Sequence, residues 1–396
     1  MQTIFAIEDY GAVGDGATLN TAAFQRAVDA CHAAGGGRVI VGAGRYLTGT
    51  VTLKSRVDLH LTAGARIVGS TRIEDYEAFD APGYHIERSP EKCSHTLFRA
   101  ADAEQIAITG SGVIDGSGRA FYNTAERAWG VFYAKPATPR PRMLTGLRCR
   151  DIVLEGVQFN ESPCWTIWLM DCDRVRIRGI QMHADQAMIN NDGLDIDACR
   201  DVVVSDCIFQ TGDDCIAVRN MRQLRDAEGI CENVTVNNCL LDSWCQGIRV
   251  GCPSDGVIRN VRFSNLQITS RSNGITLEYP ERYLAPDGVA SADVSNLFFA
   301  NIGIRCGNTP INVTVAESIE LKRLGGLHFS NVDIASGKPI RLVGSPKTVI
   351  DGVQLSQVRM VTEAPEPLVV QHCRNLVMDN TSLSAGVPGA AYRIEP

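Results

Sequence analysis

The sequence predicts an all-β fold, a single-stranded right-handed parallel β-helix of about ten coils closed at its start by one helix. Three observations lead there. A short alternating motif recurs as IAITG at 106, IVLEG at 152, VRIRG at 175, VVVSD at 202 and VTVNN at 234, then as VRFSN at 261, LFFAN at 297, LHFSN at 327, VQLSQ at 353 and LVMDN at 376. Nearly every copy ends on Gly, Asn or Asp, residues that turn the chain after a strand. From 152 onward the copies follow at intervals of 23 to 36 residues, and nothing between them has the length and period of a crossover helix. A repeat of this size cannot cover its own apolar face, so coils must stack and the ends need caps. Leucine-rich repeats would show LxxLxL spacing, and propellers four strands per longer repeat.

The N-terminal cap spans roughly residues 1–45. Thr21 to Ala34 puts Phe24, Ala27, Val28 and Cys31 on one helical face, and Gly35, Gly36 and Gly37 end it. The strand-like RVIV at 38–41 and YLTGTVTL at 46–53 follow. The coils then run on without an interior linker, so a single domain over 1–396 is expected. Successive coils lie about 4.8 Å apart, so equivalent positions one coil apart form ladders. The segments around 72–101, 118–145 and 280–294 are expected as loops that wall a cleft.

Composition narrows the function classes. Of 396 residues 44% are hydrophobic and 21% charged, which suits a large core and not a disordered chain. A net charge of -7 without a basic run argues against nucleic acid as a partner. No window reaches about 18 uninterrupted apolar residues, so no membrane helix is expected. The start, MQTIFAIEDYG, carries no export-type pattern, and a cytoplasmic location is expected. The fourteen cysteines include no CxxC pair. Cys199, Cys207, Cys215 and Cys239 stand in apolar strand contexts, as reduced core cysteines do.

The candidate chemistry is acidic. INNDGLDID at 189–197 and TGDDCIAVR at 211–219 set Asp192 ahead of Asp213 and Asp214 by 21 and 22 residues, about one short coil. Glycoside hydrolysis needs such a set, with one carboxyl protonating the leaving oxygen and a carboxylate activating water. Asp and Asn are also ordinary turn residues. Clustered carboxylates suit calcium as well, which could serve a lyase with Arg249 as base. Asp195 and Asp197 are expected to be structural, as is His183.

With these motifs in order, the chain resembles glycoside hydrolase family 28, the polygalacturonase family of the pectin-lyase-like β-helices. YGAVGDG at 10–16, YLTGTVTLKSRVDLHLTAGARIVGS at 46–70, ITGSGVIDGSG at 108–118, RPRML at 140–144 and SPCWTI at 162–167 carry the resemblance over the first half. Asn190-Asn191-Asp192 and Gly212-Asp213-Asp214 match the family's acidic motifs. The resemblance implies an inverting hydrolase in which Asp213 is the general acid, Asp192 and Asp214 activate water, and Asn190 orients the site. It implies no cofactor and no metal.

The family pattern breaks in two places. Gln246 stands where the family has a histidine, and an amide cannot carry a proton near neutral pH. Thr276-Leu277-Glu278 replaces the Arg-x-Lys that holds a galacturonate carboxylate, and Glu278 would repel one. A neutral sugar is therefore expected at that position, with Gln246, Thr276 and Glu278 as contacts. Arg249 is expected either to compensate or to pair with Glu278. Trp168 replaces another family histidine, and either it or Trp165 is a candidate sugar platform or a buried packing residue. Tyr279 and Tyr283 are further platform candidates. The expected partner is an oligosaccharide or polysaccharide, attacked from its end. The competing readings are a true exo-polygalacturonase, the calcium-assisted lyase and a non-catalytic carbohydrate-binding β-helix.

Overall fold

The computed structural model describes residues 3–89, 91–136, 139–284, 289–385 and 393–394. The chain divides into two compact units, Met1–Asp195 with Asp201–Asp213, and Ile196–Arg200 with Asp214–Pro396. Each is built from parallel strands stacked coil on coil. All ten copies of the alternating motif begin inside strands.

In the first unit Ile106 pairs with Ile152 and Ile152 with Val175, while on a second sheet Phe98 pairs with Leu144 and Leu144 with Ile167. In the second unit Val234, Val261, Leu297, Leu327, Val353 and Leu376 stand in single file. The inward position two residues on stacks Phe263, Phe299 and Phe329, with ring centroids 5.3 and 4.8 Å apart. Identical registers on every coil place like side chains over like, and that is the core.

The fifth motif residue makes the corner. Asn238, Asn265, Asn301 and Asn331 all have φ between 52° and 56°. Their short amides tolerate this left-handed conformation. Each sits mid-strand in Ile230–Ser243, Val257–Ser270, Asp293–Cys306 and Arg323–Ser336, turning the strand onto a new face. The amides also ladder, Asn331 donating to Asn301 at 2.9 Å and Asn301 to Asn265 at 3.1 Å.

The helix Thr21–Ala33 buries Ala23, Phe24, Ala27, Val28 and Cys31. Gln25 bonds both backbone groups of Thr52, at 2.9 and 3.2 Å, and so satisfies a short strand, Val51–Thr52, that would otherwise be an edge. The three longer segments contain more structure than the expected loops. Thr96–Ala101 and Arg142–Leu147 are strands paired to one another, and they escape the alternation test because both of their faces are largely buried. Residues 285–288 of the third segment lie outside the described residues. Among the described residues the cysteines are free thiols and eleven of them are buried. No helix there is long and apolar enough to cross a membrane.

Candidate active site

The first unit holds Asn190, Asp192 and Asp213. Asn190 has φ 61°, and this left-handed turn aims its N–H at Asp213 Oδ2, 3.3 Å away. Asn191 ties the two acidic motifs together. Its Oδ1 accepts from the Gly212 N–H at 2.6 Å and the Asp213 N–H at 3.2 Å, and its amide donates to the Asp185 carbonyl. Gly212 must be glycine, since a Cβ there would lie 2.4 Å from the Met188 carbonyl. Asp192 is buried, and its carbonyl accepts from the Thr166 N–H at 2.8 Å. Asp213 is half-buried.

A buried cation supports this turn from beneath. Arg140 donates to the Ile189 carbonyl at 2.8 Å and to Asn190 Oδ1 at 3.2 Å, and it also bonds the Tyr122 hydroxyl. Tyr122 donates in turn to the Ile189 carbonyl. Burial pushes the Tyr122 phenol up despite the guanidinium beside it, so the pair is a neutral donor and a cation. The RPRML motif marks Arg140 in the sequence, but its role depends on Ile189 and Asn190, 49 and 50 residues away.

Trp168 corrects the platform expectation. It is fully buried, its ring T-shaped against Trp165 at 5.4 Å, with the Arg142 guanidinium 4.5 Å above it. Arg142 is itself buried and donates to Ser89 Oγ at 3.0 Å. The two indoles thus hold a buried cation by cation–π attraction and present no face to a sugar.

The second unit holds Asp214, Gln246, Arg249, Thr276, Glu278 and Tyr279. Asp214 is buried and its Oδ2 accepts from Arg249 Nε at 2.6 Å and Arg219 Nη2 at 3.1 Å. The expected Arg249–Glu278 pair does not form. Arg249 is committed to Asp214, and Glu278 faces Arg282 at 3.8 Å. Gln246 is buried, accepts from the Asn273 amide at 3.4 Å, and its carbonyl accepts from the Cys215 N–H. Thr276 lies opposite Arg249 and is fully buried, hydroxyl included, so against expectation it offers no contact to a sugar. Tyr279 corrects a second platform expectation, being 5% exposed on the inward row of its strand and covering Gly251. Tyr283 is half-buried, stacked beneath Arg282 at 4.9 Å. Asp197 is wholly buried on Arg225 at 2.7 Å and the Met221 N–H at 3.0 Å, a fold-supporting arrangement.

Parallel coils, left-handed Asn corners and carboxylates fixed at coil turns define a parallel β-helix that carries an acidic site. The chain belongs to glycosyl hydrolases family 28, whose family model matches residues 31–350. It is 28% identical over 286 residues to a probable polygalacturonase of Vitis vinifera, a match covering 69% of this chain and 56% of that protein. The chain therefore spans only about half of that relative. A probable polygalacturonase of Arabidopsis thaliana is 24% identical over 409 residues, 93% of this chain and 84% of that one. The fold is similar to an exopolygalacturonase from Thermotoga maritima, with a TM-score of 0.76 at 23% identity over 96% and 92% of the two chains. It also resembles a family 28 exopolygalacturonase of Yersinia enterocolitica, TM-score 0.75 at 20% identity over 100% and 78%. The chain is thus a right-handed parallel β-helix with an N-terminal helical cap.

Proposed function

We propose that the chain is an inverting glycoside hydrolase that removes units from the ends of plant cell-wall oligosaccharides and takes a neutral sugar at the Glu278 position. In this reading Asp213 protonates the leaving oxygen. Asp192 and Asp214 activate the attacking water, and the Asn190 turn orients Asp213. The observation that carries the neutral-sugar assignment is the commitment of Arg249 to Asp214 at 2.6 Å. With that guanidinium engaged and Glu278 occupying the family's second cation position, a carboxylate there would meet a carboxylate. The same bond weighs against a lyase, because Arg249 is a proton donor to Asp214 and not a base. End-wise action draws support from an exo-poly-alpha-D-galacturonosidase of Dickeya chrysanthemi, 39% identical over 120 residues, 29% of this chain and 20% of that protein.

The test is product analysis on a panel of acidic and neutral plant oligosaccharides, wild type beside Asp213→Asn, with the anomer of the fresh product read by NMR. Release of a neutral sugar with inverted configuration, lost in the variant, is expected. Rapid cleavage of oligogalacturonides at every position would overturn both the neutral-sugar and the end-wise assignments.

A further inference from the structure

The turn that carries Asn190 and Asn191 grips Asp213 at both ends. The Asn190 N–H reaches the Asp213 carboxylate, and Asn191 Oδ1 accepts from the Asp213 N–H. The same turn lies directly against Gly212, where a Cβ would come within 2.4 Å of the Met188 carbonyl and 2.6 Å of the Gln186 carbonyl. Whatever fixes residues 185–191 therefore fixes Asp213.

Asp185 is placed to do so. Its Oδ1 accepts from the Ala187 N–H at 3.0 Å, and its carbonyl accepts from the Met188 N–H at 2.9 Å and the Asn191 amide at 3.1 Å. Those bonds close the turn locally, as an aspartate commonly does. Oδ2 is bound instead by partners distant in sequence. It accepts from the Tyr133 hydroxyl at 2.8 Å, and Arg119 Nε stands 3.2 Å away. Arg119 also donates to the Tyr133 hydroxyl at 3.4 Å. Tyr133 is buried, its N–H donates to the Ala187 carbonyl at 2.7 Å, and the Arg127 guanidinium lies 4.3 Å over its ring. It ends the small antiparallel hairpin of Arg127–Ala128 and Phe132–Tyr133. Glu161 Oε1 accepts from the Asp185 N–H at 3.0 Å. The N–H, the carbonyl and both carboxylate oxygens of Asp185 are thus all engaged, and closing the turn needs only part of that set.

We propose, on the reading of Asp213 as the general acid, that Asp185 clamped by Tyr133 and Arg119 is a positioning residue for proton donation to the leaving oxygen. The chain of contacts runs from the Tyr133 hydroxyl to Asp185 Oδ2, then from the Asp185 carbonyl through the Asn191 amide to the Asp213 N–H. None of these groups has to touch the substrate. A misplacement of about 1 Å at a reacting group can lower the rate roughly 10²-fold, so slack in the clamp is read in kcat. Proton donation matters most when the leaving group is a poor one and least when it departs readily as an anion. Slack therefore acts selectively on poor leaving groups, which a general loss of structure does not.

Steady-state kinetics of the full chain test this with phenyl and 2,4-dinitrophenyl α-D-galactosides and the matching α-D-galacturonides. Asp213→Asn sets the reference, with a large loss on the phenyl substrate and a small one on the dinitrophenyl substrate. Asp185→Asn is expected to lower kcat on the phenyl substrate about ten- to a hundredfold and on the dinitrophenyl substrate less than about threefold, with KM nearly unchanged. Tyr133→Phe, which removes one hydroxyl, should show the same selectivity with a smaller loss. Tyr84→Phe, which removes a bond of 2.5 Å to Asp171 in the same unit, should change neither substrate. Melting temperatures show that each variant is folded. Equal losses on the two leaving groups in Asp185→Asn and Tyr133→Phe, or a raised KM at constant kcat, overturn the positioning role. If Asp213→Asn is selective and these two are not, the positioning role fails alone. If Asp213→Asn loses both substrates equally, the general-acid reading fails and takes this one with it. No turnover of either pair by the wild type overturns both.

Discussion

Asp213 and Asp214 are neighbours in the chain, and the two units hold them in opposite ways. Asp213 is half-buried, and a backbone N–H from the left-handed Asn190 turn reaches its carboxylate, while the Asn191 amide fixes its backbone. Asp214 is fully buried, and two guanidiniums balance its charge. An acid that must meet a leaving oxygen needs access, and a neutral N–H on its carboxylate and a neutral acceptor on its backbone help to fix its place. A carboxylate between two buried arginines is part of the fold's electrostatic skeleton as well as of the site. The difference predicts that the first can be altered at little structural cost and the second cannot.

The largest effect is expected at Asp213. Asp213→Asn should lower kcat by roughly 10²–10⁴, the usual worth of a general acid, with the melting temperature close to wild type. Strong destabilisation would break the comparison. Asp214→Ala should lose activity too, but it also strands Arg219 and Arg249, which costs about 3–5 kcal/mol in urea unfolding. A variant as stable as wild type would show that the guanidiniums find other partners.

Asn191→Ala removes the acceptor of two N–H groups and should cost about 1–3 kcal/mol, with a fall in kcat because the Asp213 backbone loosens. Arg140→Lys keeps the charge but loses the fork shared by Ile189 and Asn190. It should lower kcat with KM nearly unchanged, and an effect on KM alone would contradict a positioning role.

The smallest effect concerns Glu161, in the same unit as Asp213. Burial first and the nearby Asp185 second push its carboxyl above the ordinary value of 4.5. A raised pKa means the favourable protonated state is complete below 4.5 and is lost as pH rises through the folded value. Glu161→Gln should therefore raise the melting temperature slightly at pH 7, and the gain should vanish below pH 4.5. A gain that persists in acid would refute this cause.

Much of this was legible beforehand. The ten alternating motifs became strands in register because period-2 alternation and a turn residue are both local properties. The helix and its glycine stop were read from the same kind of local pattern. Asp192, Asp213 and Asp214 were selected by spacing and motif. The supporting residues were not: Arg140 lies 50 residues from Asn190, and Arg249 lies 35 from Asp214. Trp168 and Tyr279 were read as candidate platforms because a sequence shows an aromatic residue without showing what covers it.

By itself, then, the sequence determined the repeating strand, the turn residue that follows it, the capping helix and the acidic motifs, all encoded within a few residues of one another. Only the tertiary structure decided which arginine each carboxylate meets and which aromatics are buried. Those outcomes depend on which residues fall opposite one another on stacked coils. Coil lengths vary from 23 to 36 residues, so a single unrecognised insertion shifts every later rung, and only the folded register settles the partners.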